Sequence, residues 1–291
     1  MMMAATVTET ARAKINLFLH VTGRRDDGYH LLDSLVAFAE AGDVVTASGA
    51  EDLRLDLDGP MAGHLPAEGD NIVLRAARAL AAGAALPARA RLRLTKTLPV
   101  AAGIGGGSAD AAATLRALGR LWQLDLPTSQ WQSLALSLGA DVPVCLHGQA
   151  SRMSGIGEML SAVPPLPPAW LVLVNPMTGL STPAVFTARQ GPFSPPAPSL
   201  PPLASPQALA EFLRLCRNDL TDAACAVLPV VGDMLTALRG QADCLLARMS
   251  GSGATCFGLF ADAGSAAAAT RALSTQAPCW WIKTARLCSA S

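Results

Sequence analysis

The segment Pro99-Val100-Ala101-Ala102-Gly103-Ile104-Gly105-Gly106-Gly107-Ser108-Ala109-Asp110 constrains this chain more than any other. It sets four glycines in five positions. Before it, Ala90, Leu92 and Leu94 alternate with Arg89, Arg91 and Arg93 as in a half-buried strand; after it an Ala/Leu run reads as a helix ending near Trp122. Residues without Cβ expose consecutive backbone N–H groups, and a helix N-terminus adds partial positive charge at the same point. A loop so placed suits an anion, phosphate above all. The bland alternative is a flexible linker, but linkers are rarely flanked directly by a strand and a helix. Ser108 can offer its hydroxyl to a phosphate or to a magnesium ion. A Walker A loop needs a Gly-Lys-Ser/Thr that is missing, and a dinucleotide fingerprint needs a third glycine where Ser108 stands.

The rest of the composition narrows the partners. Among 291 residues, 22 basic and 22 acidic side chains cancel. Such a chain has no electrostatic footprint for nucleic acid or an anionic membrane, so small-molecule substrates are expected, with no nucleic acid and no membrane partner. The chain is long enough for two domains and, at 51% hydrophobic, for a sizeable core. Seven cysteines show no C-x-x-C and no histidine at zinc spacing, which reads as reduced thiols in a cytosol. The stretch from Met1 to Thr10 lacks the pattern of a signal peptide, and no apolar run reaches the ~18 residues of a membrane span. The expectation is a cytoplasmic protein, monomer or homodimer.

Only Lys14, Lys96 and Lys283 among the 22 basic residues are lysine. In a chain where arginine is the default cation, each raises the question of whether a compact ammonium is needed. From Lys14 to Val21, Ile15, Leu17, Leu19 and Val21 alternate with Lys14, Asn16, Phe18 and His20. That predicts a strand with one buried face and Lys14 beside Asn16 on the other. A charged turn over Gly23–Gly28 leads to Tyr29, the sole tyrosine, and His30.

Asp70 and Asn71 read as a helix start continued through Leu80, and a further helix runs from Pro127 to Gly139. Asp141, just beyond, is by itself best read as an Asx turn. Trp170–Val174 is a buried strand. Seven of the 16 residues from Gly191 to Pro206 are proline, which predicts a surface loop without catalytic role. Then come helices at 207–216 and 219–240, a strand at 243–249, a Gly-Ser-Gly turn, a strand at 254–260, a helix at 263–275 and a strand at 279–287. The pattern is α+β, with one domain over residues 1–160 and a second over 161–291.

Three segments in this order resemble the galactokinase–homoserine kinase–mevalonate kinase–phosphomevalonate kinase superfamily. Pro99–Ala109 is similar to its phosphate loop, Pro-x-x-x-Gly-Leu-Gly-x-x-Ser-Ala/Ser. Met249-Ser250-Gly251-Ser252-Gly253-Ala254-Thr255-Cys256-Phe257-Gly258 resembles its C-terminal glycine motif, although alone it would read as a tight hairpin turn. Ala11-Arg12-Ala13-Lys14-Ile15-Asn16-Leu17 resembles its N-terminal strand motif. Lys14–Leu19, Gly28-Tyr29-His30, Gly103–Ser108 and Gly139-Ala140-Asp141-Val142-Pro143 together point to the branch acting on a cytidine-diphosphate-linked methylerythritol.

The resemblance implies a two-domain small-molecule kinase fold, with a ribosomal-protein-S5-like N-terminal domain and a ferredoxin-like C-terminal domain. It implies ATP and Mg2+ as cofactors and phosphorylation of the substrate's 2-hydroxyl on a non-mevalonate route to isoprenoid precursors. By the same resemblance Asp141 is the base and Lys14 its catalytic partner. ATP falls to Asn71 (near adenine), Lys96 and the loop Pro99, Val100, Ala101, Ala102, Gly103, Ile104, Gly105, Gly106, Gly107, Ser108 and Ala109, with Ser108 also toward the metal. Asn16 and Thr182 lie near the polyol, Tyr29 and Phe186 stack on cytosine, and His30 bonds its edge. Ala109 departs from the family, which commonly has a second serine there. From the residues alone, Lys96 reads equally as a solvated strand end and Phe186 as helix core. The rivals are a sister kinase for another alcohol, such as homoserine or mevalonate, and a non-catalytic binding protein on the same fold.

Overall fold

Two strands of 19 residues, β1 (Thr6–Arg24) and β2 (His30–Ser48), organise the computed structural model, which describes residues 5–65 and 71–288. Asp70, expected to help open the first helix, lies outside the described residues. The chain forms two units, and each draws on part of both strands. The units therefore do not follow a single cut at residue 160. A strand can change partner along its length, and β2 does so, which no local sequence pattern announces.

The first unit takes the chain up to Ala13, Gly42–Val100 and Gly105–Gly148. Here the end of β2 (Val44–Ser48) pairs antiparallel with β4 (Ala90–Thr95), and β3 (Leu53–Asp58) pairs parallel with β4. Ala90, Leu92 and Leu94 are buried while Arg91 and Arg93 are exposed, as the alternation predicts. Four helices belong to this unit: α1 (Ile72–Gly83), between β3 and β4, and after β4 α2 (Gly106–Leu121), α3 (Thr128–Leu138) and α4 (Val142–His147). The Asn71 side chain accepts from the Val73 N–H at 2.9 Å and so starts α1. α2 buries Ala109, Ala111, Ala112, Ala113 and Ala117, so its neighbours approach closely. A Cβ on Gly119 would fall 2.7 Å from the Trp131 ring of α3.

The second unit takes Lys14–Ala41, Ala101–Ile104 and the chain from Gln149 onward. Leu32–Val36 of β2 pairs antiparallel with β5 (Ser151–Gly155), which pairs with β6 (Met159–Ala162). An antiparallel sheet has the order β10-β7-β9-β8, from β7 (Trp170–Asn175), β8 (Leu246–Met249), β9 (Cys256–Phe260) and β10 (Trp281–Arg286). With it go α5 (Thr182–Ala188), α6 (Pro206–Arg214), α7 (Thr221–Val227), α8 (Val230–Arg239) and α9 (Ala263–Gln276). Val172, Val174, Met234, Leu235, Leu238, Phe260 and Leu273 form the core, each buried side chain contributing about 1.5–3 kcal/mol.

Three expectations change. The predicted helix over 219–240 is two helices, because Pro229 between α7 and α8 has no N–H to continue the ladder. β1 has two buried faces: Lys14, Asn16, Phe18 and His20 are all 6% exposed or less. The His20 ring meets that burial with polar partners, Nε2 accepting from the Arg217 N–H and Nδ1 facing the Pro195 carbonyl at 3.0 Å. The proline-rich stretch runs along the surface but is tethered. Ser194 and Ala197 are buried, and their N–H groups donate to the Val21 carbonyl (2.9 Å) and to Asp33 (2.7 Å). Asp33 in turn holds Arg152 through two bonds of 2.7 and 2.6 Å.

Candidate active site

In the second unit, three glycine- and serine-bearing segments close on one another. The Lys14 N–H donates to the Ile104 carbonyl at 2.9 Å, and the Thr255 N–H donates to the Ala102 carbonyl at 3.1 Å. Ser250, fully buried, accepts from the Asn16 N–H (3.0 Å) and donates to the Gly103 carbonyl (3.3 Å). Gly103 has φ +72°, and a Cβ there would fall 2.1 Å from the Gly253 carbonyl oxygen. Glycine is thus required at Gly103 both by backbone conformation and by contact. Lys14–Asn16, the first half of the glycine loop and the C-terminal glycine motif are one assembly. Ser250 was not singled out from the sequence, where nothing separates it from the other hairpin residues.

Other substrate candidates sort into two groups. Thr182 Oγ1 lies 2.7 Å from Ser252 Oγ, at the start of α5. The rings of His30 and Phe186 stack with centroids 4.9 Å apart and planes 26° from parallel. Burial, then the charges of Arg24 and Arg189, lowers the pKa of His30, which favours the neutral imidazole at pH 7. Phe186 is half-buried and packs against the hydrophobic core beside the fully buried Val185, in keeping with the helix-core alternative, while its ring also stacks on His30. Tyr29 stands outside the stacked pair at 62% exposure, its N–H bonded to Asp27 at 3.2 Å.

In the first unit the second half of the glycine loop becomes the N-terminus of α2. Gly105, at φ +63°, turns the chain, and Gly106, Gly107 and Ser108 form the first helical turn. Gly107 is exposed and Ser108 half-buried, while Ala109 is turned inward, so its missing hydroxyl removes nothing from the exposed face.

Beneath this turn lies a buried cluster. Lys96 is 2% exposed, and its ammonium bonds both Asp43 and, at 2.8 Å, Asp110 of α2. This rules out the solvated strand end. A Cβ on Gly106 would lie 3.3 Å from that ammonium. Asp43 Oδ1 also accepts the N–H groups of Thr97 (2.6 Å) and Leu98 (2.8 Å), fixing the chain as it enters the loop. Burial, followed by the neighbouring Asp43 and opposed by Lys96, pushes the Asp110 carboxyl up to about 8. Burial would lower Lys96, but Asp110 and Asp43 outweigh it and the net shift is upward. Lysine scarcity pointed to Lys96. Neither Asp43, inside an unrecognised strand, nor Asp110 carried a signal of pairing.

Asp141 precedes α4 with φ −87° and ψ −9°, and its side chain does not cap that helix. Among the described residues, no group of three or more His, Cys, Asp or Glu side chains could enclose a metal ion. No described helix is long and apolar enough to cross a membrane.

A glycine loop leading into a helix N-terminus is a layout suited to receiving phosphate. Comparison with known proteins agrees. Residues 71–149 match the GHMP kinases N terminal domain and residues 203–279 the GHMP kinases C terminal domain. The chain belongs to the GHMP kinase family, and its fold is that family's two-domain α+β kinase fold. It is 57% identical over 96% of its length to 4-diphosphocytidyl-2-C-methyl-D-erythritol kinase of Paramagnetospirillum magneticum, covering 98% of that protein. It is 56% identical over 98% of its length to the protein of the same name from Rhodospirillum rubrum, covering 93% of it. The crystal structure of a 4-(cytidine 5'-diphospho)-2C-methyl-D-erythritol kinase superposes with TM-score 0.80 at 31% identity, over 98% of this chain and all of that one. Homoserine kinase from Cytophaga hutchinsonii shares the fold, at TM-score 0.70 and 16% identity over 98% of this chain and 95% of its own.

Proposed function

We propose that this enzyme transfers the γ-phosphoryl group of ATP to the 2-hydroxyl of 4-diphosphocytidyl-2-C-methyl-D-erythritol, a step of non-mevalonate isoprenoid precursor biosynthesis in the cytoplasm. The observation that carries the reading is the joining of the Lys14–Asn16 strand to both glycine motifs through Ser250, in a chain 57% identical to a kinase of that name.

In this reading the substrate oxygen attacks the γ-phosphorus, the bond to the β-phosphate oxygen breaks, and ADP leaves. Asp141 takes the hydroxyl proton. Lys14 offsets charge on the phosphoryl group in flight. The N–H groups of Gly105–Ser108 at the α2 N-terminus receive the nucleotide phosphates, and Asn71 is assigned to the adenine side. Lys96 serves the loop from beneath. Mg2+ is commonly carried by substrate phosphates with only one or two protein ligands, so a single serine hydroxyl is compatible with it. Ser108 is the residue that would hold it, and the ion would neutralise developing charge on the phosphates. Asn16 and Thr182 take the polyol. Tyr29 and Phe186 take the faces of cytosine, and His30, kept neutral, its edge.

Release of ADP, measured with ATP and the cytidine-linked methylerythritol, homoserine or mevalonate in parallel, tests this. Turnover with the first alone is expected. Equal or faster turnover of another alcohol would refute the substrate assignment.

A further inference from the structure

The buried Asn16 amide has only one of its two ends satisfied. Its amide nitrogen donates to Ser34 Oγ at 2.8 Å, while its amide oxygen is buried with no hydrogen-bond partner among the described residues. That oxygen lies 3.4 Å from where a Cβ on Gly251 would stand, so it faces the C-terminal glycine motif. A buried acceptor without a donor is costly, and in a native protein it calls for a ligand or a water to complete it.

The polarity of this arrangement is set by one proton. Ser34 has a single hydroxyl hydrogen and donates it to the Phe18 carbonyl at 2.5 Å. It can then meet Asn16 only as an acceptor, so the NH2 of the amide must face it. The oxygen is thereby turned the other way. The Asn16 backbone is fixed independently, its N–H held by Ser250 at 3.0 Å. Ser34 is fully buried, and its hydroxyl is engaged by Asn16 and the Phe18 carbonyl.

We propose that Ser34 is the positioning residue that fixes the polarity of the Asn16 amide, so that Asn16 meets the polyol through Oδ1, as an acceptor from a substrate hydroxyl. The proposal rests on the kinase reading above and adds which atom reads the alcohol and in which sense. A hydroxyl can donate to that oxygen. An ether, a deoxy carbon or a fluorine cannot.

The test is calorimetric titration of the wild-type enzyme with the natural cytidine-linked polyol and with analogues in which each hydroxyl in turn is replaced by hydrogen or by fluorine. At one position both replacements should weaken binding at least about tenfold, because fluorine accepts but does not donate. Ser34→Ala and Asn16→Ala should abolish that discrimination while leaving the dissociation constant for ATP within about twofold; Ser34→Thr, which keeps a hydroxyl, should restore it. The proposal fails if fluorine is tolerated at every position, if Ser34→Ala discriminates as wild type does, or if Ser34→Ala weakens both ligands equally. Should Ser34→Ala not fold, the wild-type fluorine series alone decides the polarity. Failure of the wild type to bind the natural polyol at all would instead overturn the kinase reading.

Discussion

The ammonium of Lys96 lies 2.8 Å from the carboxyl oxygen of Asp110, and both side chains are sealed from solvent. With Asp43 on the same ammonium, one lysine ties the chain entering the glycine loop to the helix leaving it. Two buried carboxyl groups sharing one cation form an arrangement that tolerates no loss of the cation. Lys96→Met should lower unfolding free energy by about 3–5 kcal/mol, since it strands two buried acids. Adding Asp110→Asn to it should recover part of the loss. Denaturant titration of the three proteins checks this, and an unaltered midpoint for Lys96→Met would contradict the brace.

The glycines of the loop are not equivalent. Gly103→Ala forces a Cβ to within 2.1 Å of a carbonyl oxygen at positive φ, so this variant should be strongly destabilised. Gly107 meets nothing nearer than Ile72 at 4.0 Å and sits in the first turn of α2. Gly107→Ala should therefore raise stability, by up to about 1 kcal/mol, yet weaken ATP if phosphate approaches that backbone. Thermal unfolding together with ATP titration of both variants distinguishes folding glycines from binding glycines.

Asp141→Ala and Lys14→Ala should each lose at least about 100-fold in kcat, the lower range for removing general-base help. Lys14→Arg should also be poor, because the buried strand position of Lys14, 4% exposed, leaves little room for a planar guanidinium. Steady-state kinetics with circular dichroism as a folding control is the measurement. Near-full kcat in a folded variant would remove that residue from the mechanism.

His30 should titrate below its ordinary value of 6.5, burial being the first cause and Arg24 and Arg189 the next. For a histidine whose folded pKa is depressed, the contribution to stability is present above 6.5 and is lost as pH falls through the folded value. Arg189→Ala should move the titration back toward 6.5, and NMR of the ring protons follows it directly. A titration at or above 6.5 in the wild type would show that the imidazole is not held neutral.

How much of this was legible depended on whether the constraint was local. The glycine loop was visible because missing Cβ atoms between a strand and a helix leave a mark in a dozen residues. β4 was visible because one face is wet and the alternation survives. β2 was not, since Ser34–Ala39 is buried without a break and shows no period. The tether of the proline-rich stretch was hidden for a related reason: Asp33, Arg152 and Ala197 meet only when the chain is folded.

The sequence by itself determined the chemistry available to this protein: a phosphate-accepting loop, a scarce lysine two residues from an asparagine, and an aspartate just past a helix. These rest on residue types and short spacings, which short-range sterics and backbone hydrogen bonding dictate. Tertiary structure alone decided which groups share a proton or a charge. Lys96 became a brace because Asp43 and Asp110, 53 and 14 residues away in the chain, arrive at the same ammonium. Asn16 gained a defined polarity because Ser34 spends its single proton on the Phe18 carbonyl. Burial makes such pairings costly to leave unmet, and burial is a property of the packed chain.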